Sequence, residues 1–333
     1  MTVRILSLLS CLILWTHLPQ VASTPSVSHQ GGPKVEVKRL MKTCKKCHLD
    51  QWKEWKASRH AKSWINPVFQ EAIAALPDKG EACARCHAPG SLPPNGFGDV
   101  PEARKDARKL GVNCTTCHND PARYYGPYPS KGHGGILVKA EYLEARVCKS
   151  CHGHPEVNAA HDQWTSYEKS PAAANGKTCQ SCHMEEVTRV MARGRRKLKN
   201  VQEARLGRRH LFAGAHTVGE AEDAADLRAE SDGTHVVVTT TMHTGHVFPS
   251  SEGREGRLEV RFFGGDGTEI QTVTQIYDKA KERVLPPEKP TTIRIPFPAM
   301  AQRAVTSLVL RFPVVPGREK EKRILLAETE TVR

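Results

Sequence analysis

Spare thiols are what this chain lacks. Of its 11 cysteines in 333 residues, ten fall in five copies of one short pattern and the eleventh, Cys11, lies near the N-terminus. No pair is left over, so a disulfide framework is excluded. Core-forming side chains are also few, with apolar residues at 38% and aromatics at 6%. Beyond the first 23 residues no apolar run approaches the roughly 20 residues a membrane span needs. Negative charge is in deficit, and the formal net charge is +13.

What is present is the pattern Cys-x-x-Cys-His. It occurs at Cys44, Cys47 and His48; at Cys83, Cys86 and His87; at Cys114, Cys117 and His118; at Cys148, Cys151 and His152; and at Cys179, Cys182 and His183. Two thiols at this spacing add to the two vinyl groups on one edge of a porphyrin, and the His that follows ligates the iron. A zinc site or a redox dithiol would use the cysteines alone. Neither needs a His after every pair, and neither suits an odd number of pairs. The expected cofactors are therefore five covalently attached c-type haems. Their flat apolar faces would supply the core that the polar chain lacks, and their propionates would offset part of the positive charge. The excess of base thus does not require nucleic acid, which would also need a cytosolic protein.

The N-terminus points elsewhere. Arg4, the apolar run Ile5 to Trp15 and the small residues Val21-Ala22-Ser23 read as a signal peptide over 1–23. The expected location is periplasmic or otherwise exported, with no membrane span. A polar arm follows to about residue 40. After His48, a helix with Trp52, Trp55, His60 and Trp64 is expected to run to about Ala75. Pro101 to Leu110 reads as a short charged helix, and Glu141 to Lys149 as another. His133 stands between glycines in a loop. Met184 to about Arg209 reads as a basic helix, including Arg189, Arg193, Arg195, Arg196, Lys197, Arg205, Arg208 and Arg209. Such a run is either a solvated face, or a functional one that pairs propionates or docks an acidic redox partner.

From about Val218 the texture changes to short alternating runs: Thr234–Thr241, Arg257–Phe263, Glu269–Gln275, Thr291–Phe297, Val305–Phe312 and Lys322–Ala327. These predict antiparallel strands in a sandwich. The fold class is α+β: a loop-rich, mostly α pentahaem domain over 24–215, then a β-sandwich domain over 216–333.

The order of motifs resembles the multihaem cytochromes c grouped with the tetrahaem cytochrome c of ammonia oxidisers. It resembles pentahaem nitrite reductase and hydroxylamine oxidoreductase more distantly. The segments that carry the resemblance are Trp55-Lys-Ala-Ser58-Arg-His60-Ala, Tyr125-Gly-Pro127 with His133, and Gly176-Lys-Thr-Cys-Gln-Ser-Cys-His-Met184. His210-Leu-Phe-Ala-Gly-Ala-His216 and Gly245-His246-Val-Phe-Pro249 complete the set. The resemblance implies stacked haems that pass electrons, with His60, His133 and His210 as distal ligands. His216 and His246 come next, His154, His161 and His243 are in reserve, and His235 is structural. All five motifs end in His, which departs from the Lys-ligated catalytic haem of the nitrite reductases. The expected function is accordingly electron transfer along a packed haem array in an extracytoplasmic respiratory chain, with redox partner proteins as donor and acceptor. Two alternatives stand beside it. One is a multihaem oxidoreductase acting on a small nitrogen or oxygen compound at one five-coordinate haem. The other is a subunit of an extracytoplasmic electron conduit.

Overall fold

The computed structural model describes residues 36–94, 96–120, 122–130, 132–192, 203–217 and 223–333. Residues 35–333 cluster as one compact unit. The leader assignment over 1–23 falls outside the described residues.

The first half is made of short helices joined by loops. They are α1 (Val37–Cys47), α2 (Leu49–Ala57), α3 (Arg59–Lys62), α4 (Pro67–Ala74), α5 (Ala84–His87), α6 (Cys114–His118), α7 (Arg146–His152), α8 (Pro155–Asn158), α9 (Trp164–Tyr167), α10 (Pro171–Ala174) and α11 (Cys179–His183). The five motifs lie at α1, α5, α6, α7 and α11. One helical turn puts residues three apart on the same face, so both sulfurs of each motif are presented together. Asn113 caps α6 in a capping box with Thr116, and the Thr178 side chain accepts from the Ser181 N–H at the start of α11.

The long helix expected to reach Ala75 is broken twice. Ser58 leaves helical geometry (ψ 164°), and its side chain caps α3 by accepting from the Ala61 N–H. Asn66 caps α4 ahead of Pro67, which cannot continue the preceding turn. The helix expected over 101–110 is also absent, leaving one 3-10 turn at Arg108–Leu110. Buried Arg104 organises that loop instead, donating to the carbonyls of Pro89, Asp106, Ala107 and Gly111. The stretch expected as a helix over 141–149 is a 3-10 turn at Ala140–Leu143 followed by α7.

The basic helix expected over 184–209 is a β-hairpin. After the short parallel pair β1 (Tyr125–Gly126) and β2 (Leu137–Val138), strands β3 (Glu186–Val190) and β4 (Ala204–Arg208) pair antiparallel, with Arg189 opposite Arg205. Val187, Thr188 and Val190 favour the strand. Gly207 makes room for Met191, whose Cε would lie 2.1 Å from a Cβ there.

The second half holds two antiparallel sheets. One is β5 (Ala225–Ser231), β6 (His235–Met242) and β9 (Thr291–Pro296) in the order β5-β6-β9. The other runs β11 (Lys322–Val332), β10 (Arg303–Phe312), β7 (Glu255–Phe263), β8 (Glu269–Asp278). Burial alternates along β6 and β7, while central β10 is buried almost throughout its C-terminal half. Both sheets feed one cluster of 18 buried apolar residues that includes Val236, Val238, Phe262, Phe297 and Leu308. The haem half has a cluster of only three, Met41, Trp55 and Ala61. That contrast locates the protein's own core in the sheets.

The loops at one end of the sheets are pinned to the helical half. Gln163 donates to the Ser250 carbonyl and the Ser251 hydroxyl, the Glu252 N–H to the Ala160 carbonyl, and Lys279 to the carbonyls of Ala159 and Asp162. The segment carrying His246 is thereby held against the haem motifs.

Candidate haem-binding site

All ten motif cysteines and all five motif histidines line one cavity of about 2720 Å³. A single small-ligand site occupies roughly 300–1,000 Å³, so the space suits several large groups. Among the described residues, no three His, Cys, Asp or Glu side chains gather to hold a bare metal ion. The Cys₄ zinc alternative has no cluster to rest on.

Every motif His directs Nδ1 at an oxygen acceptor. His48 meets the Met191 carbonyl at 2.8 Å, His87 that of Ser63 at 3.0 Å, His118 that of Tyr125 at 3.1 Å, and His183 that of Ala213 at 2.7 Å. His152 meets Gln163 Oε1 at 2.9 Å. An imidazole that donates from Nδ1 leaves Nε2 as a lone pair, the form that binds metal, and the partner fixes the ring's orientation. Gln163 and Met191, which supply two of these acceptors, carry no sequence signal of that role.

Four motif histidines face a second His across a haem-sized gap. Ring centres are 5.9 Å apart for His48 and His133, 6.3 Å for His152 and His60, 6.1 Å for His118 and His210, and 6.3 Å for His183 and His246. Two imidazoles bonded to one metal at ~2.0–2.1 Å would hold their centres about 6.3 Å apart. Three of the second histidines are shielded from water, and burial pulls His210 and His246 down to about 4 and His60 to about 3, which favours the neutral donor form; His133 is exposed. His210 and His246 also point Nδ1 at carbonyls, those of Arg208 and Val247. His60 Nδ1 is buried without a partner. His133 takes a left-handed backbone (φ 61°) between Gly132 and Gly134 and stacks on Tyr124 at 4.2 Å.

His87 differs. Phe69 stacks on its ring at 3.9 Å, 5° from parallel. No second His ring stands at the spacing of the other pairs among the described residues. His161 is the nearest candidate: it lines the same cavity, and burial together with the charge of His87 pulls it down to about 4. His216 also lines the cavity but faces no motif His. It packs on Phe312 at 4.6 Å and accepts from Lys322 Nζ through Nδ1 at 3.1 Å. His154, His235 and His243 lie outside the cavity lining. His154 uses both ring nitrogens, on Gly98 and Glu156, His235 meets Thr234, and His243 pairs with Asp226.

The motifs are interleaved in space. The Cys44 thiol pairs with Cys114, Cys86 with Cys151, and Cys148 with Cys179. Cys117 lies within the field of both Cys148 and Cys151. Once these sulfurs are thioethers their proton chemistry disappears, but their proximity sets which porphyrin edges adjoin.

Sulfurs presented in pairs, imidazoles fixed with Nε2 bare, and matching imidazoles opposite are the arrangement that several c-type haems would require. Comparison with known proteins agrees. Residues 43–119 match the family model for cytochrome c554 and c-prime. The fold matches the crystal structure of a penta-heme cytochrome c552 from Thermochromatium tepidum with a TM-score of 0.54 and 14% identity, over 88% of this chain and 98% of that one. A second solved structure, Northeast Structural Genomics Consortium target SoR45, aligns over 34% of this chain and 89% of its own at 8% identity. Its TM-score of 0.20 carries no argument. No curated protein matches the chain in sequence. Among the described residues no helix is long and apolar enough to cross a membrane.

Proposed function

We propose that the chain is an exported pentahaem cytochrome that passes electrons along a packed haem array, with a helical haem domain and a following β-sandwich domain. The observation that carries this reading is the set of four His pairs at 5.9–6.3 Å, each joining a motif His to a His from a distant segment. With both axial positions taken by imidazole, an iron has no site for substrate, and its task is reversible one-electron transfer. The chain's residues supply the rest. Carbonyls and Gln163 hold the motif imidazoles, and His60, His210 and His246 present neutral imidazoles opposite three of them.

The thiol contacts order the array. The first and third motifs adjoin through Cys44 and Cys114, and the third meets the fourth through Cys117. The fourth also adjoins the second, through Cys86 and Cys151, and the fifth, through Cys148 and Cys179. The haem on His152 is therefore the node. The donor and acceptor are redox proteins, and the leader reading places their encounter outside the cytoplasm.

The missing partner of His87 supports a second reading, an oxidoreductase with one five-coordinate haem at Cys83–Cys86. Low-temperature EPR of the oxidised protein separates the two, after intact mass has shown five haems above the processed polypeptide. Purely low-spin signals are expected for the carrier, with His161 as the last ligand. A high-spin signal that grows no further in His161→Ala would assign the second reading. Fewer than five haems by mass would sink the array itself.

A further inference from the structure

Four cations and a His converge at the seam between the helices and the sheets, and among the described residues none of the cations has an acidic partner. They come from five segments: Arg59 from the start of α3, His216 after the hairpin, Arg254 ahead of β7, Arg318 in the β10–β11 loop, and Lys322 at the start of β11. Phe312 is their floor. The Arg254 and Arg318 guanidiniums lie 5.4 and 5.6 Å from its ring centre, and His216 stacks at 4.6 Å. Arg318 donates twice to the Pro313 carbonyl, at 2.9 and 2.6 Å. Gly317 (φ 77°) lets that loop close on α4, since a Cβ there would stand 2.6 Å from the Pro67 carbonyl. Among the described residues no carboxylate bonds to Arg59, Arg254, Arg318 or Lys322, whereas Arg311 nearby in sequence pairs with Glu255 and Glu321.

Arg254 and Arg318 are half-buried while Arg59 and Lys322 reach solvent, and like charges gathered at a partly shielded seam repel one another unless an anion joins them. Burial and the neighbouring arginines push the Arg254 guanidinium down, and its charge reaches His152, His161, His216 and His246. Lys322 can only donate, so His216 Nδ1 accepts and Nε2 carries the proton. That tautomer is the reverse of the one at the five motif histidines. It makes His216 a donor to an anion and not a ligand to iron.

We propose that Arg59, His216, Arg254, Arg318 and Lys322 form an oxyanion site beside the haem array that takes one carboxylate-like group. The residues all line the haem cavity. Two sources carry this chemistry: a propionate of one of the protein's own haems, or a free inorganic oxyanion reaching the seam from solvent. The first presupposes the haem loading argued above, which intact mass tests separately.

The experiment uses the haem-loaded protein and three variants, Arg254→Gln, Arg318→Gln and Arg318→Lys, each accepted only at wild-type haem content. Inorganic phosphate is titrated against chloride at constant ionic strength, following the thermal midpoint and the visible spectrum. Resonance Raman is recorded without phosphate. A saturable phosphate effect that weakens roughly tenfold or more in each Gln variant, and is partly kept in Arg318→Lys, assigns a free oxyanion. No phosphate effect, but a displaced haem propionate bending band in the Gln variants, assigns the propionate. If phosphate has no saturable effect and the propionate bands are unmoved in both Gln variants, the site does not exist. Should neither Gln variant load haem, Arg318→Lys and the phosphate titration of the parent decide by the same criteria.

Discussion

Glu54 shows how one side chain reaches the redox site without touching it. It lies on α2 between Trp52 and Trp55, and its carboxylate receives both arms of Arg189, at 2.5 and 2.9 Å. The same carboxylate accepts the backbone N–H of His210 at 2.9 Å. The pair is largely dry, with Glu54 13% and Arg189 9% exposed. It ties α2, the helix that follows the first motif, to the β-hairpin and to the imidazole opposite His118. Breaking such a pair by removing one partner costs about 3–5 kcal/mol. Glu54→Ala should lower stability by that order and shift the low-spin EPR signal of one haem, while Glu186→Ala, which removes an exposed carboxylate from Arg208, should do neither. The pH dependence has a definite sign. Burial pushes the Glu54 carboxyl up, but Arg189 and the His210 N–H outweigh it and hold it below its usual value. The stabilisation is thus complete above the unfolded value near ~4.3 and is lost as pH falls through the lowered folded value. Acid unfolding of Glu54→Gln should accordingly show a shallower slope in that window. Nothing in the sequence marked Glu54, because its partner lies 135 residues away.

At the scale of elements, the motifs and strands were legible and the breaks between helices were not. Cys-x-x-Cys-His is a local chemical requirement, and alternation along β6 and β7 is a local consequence of one buried face. The hairpin β3–β4 was misread because a run of arginines suits either a helix or a strand. What decided it was tertiary: Arg189 had to reach Glu54, and Gly207 had to admit Met191. Of the basic patch, Arg189, Arg205, Arg208 and Arg209 are engaged with Glu54, Tyr128, Glu186 and Glu185, while residues 193–200 lie outside the described residues. Strand β5 went unseen because Ala225-Asp-Leu-Arg-Ala-Glu alternates with small or charged residues and pairs only along β6. The uneven cores give an element-scale prediction. Residues 223–333 hold 18 clustered buried apolar residues and should fold cooperatively when expressed alone. The helical half, with three, should be cleaved rapidly by protease when made without haem, following the logic of metal-coupled folding. A protease-resistant helical half without haem would contradict it.

Across the whole molecule, the interleaving of motifs matters more than their order in sequence. Which His opposes which could not be read from spacing: His60, just after the first motif, faces His152 of the fourth, and His48 of the first faces His133. Each facing pair joins two distant segments. On the proposed reading the haem on His152 is the node, because thiols of the fourth motif lie near those of the second, third and fifth. A node can be tested without removing it. His60→Met would keep the covalent attachment at Cys148 and Cys151 and exchange one imidazole for a thioether, which raises the potential of such a haem. Spectroelectrochemistry should then show one haem reduced before the rest. Electrons entering at the first motif would be held at that haem, so stopped-flow reduction should become biphasic, with a fast fraction and a delayed remainder that includes the haems of the second and fifth motifs. His133→Met should instead perturb a terminal haem and leave internal transfer among the other four unchanged. If the two variants slow the same fraction equally, the array has no branch at His152, and the contacts among Cys86, Cys117, Cys148, Cys151 and Cys179 do not describe the electron route.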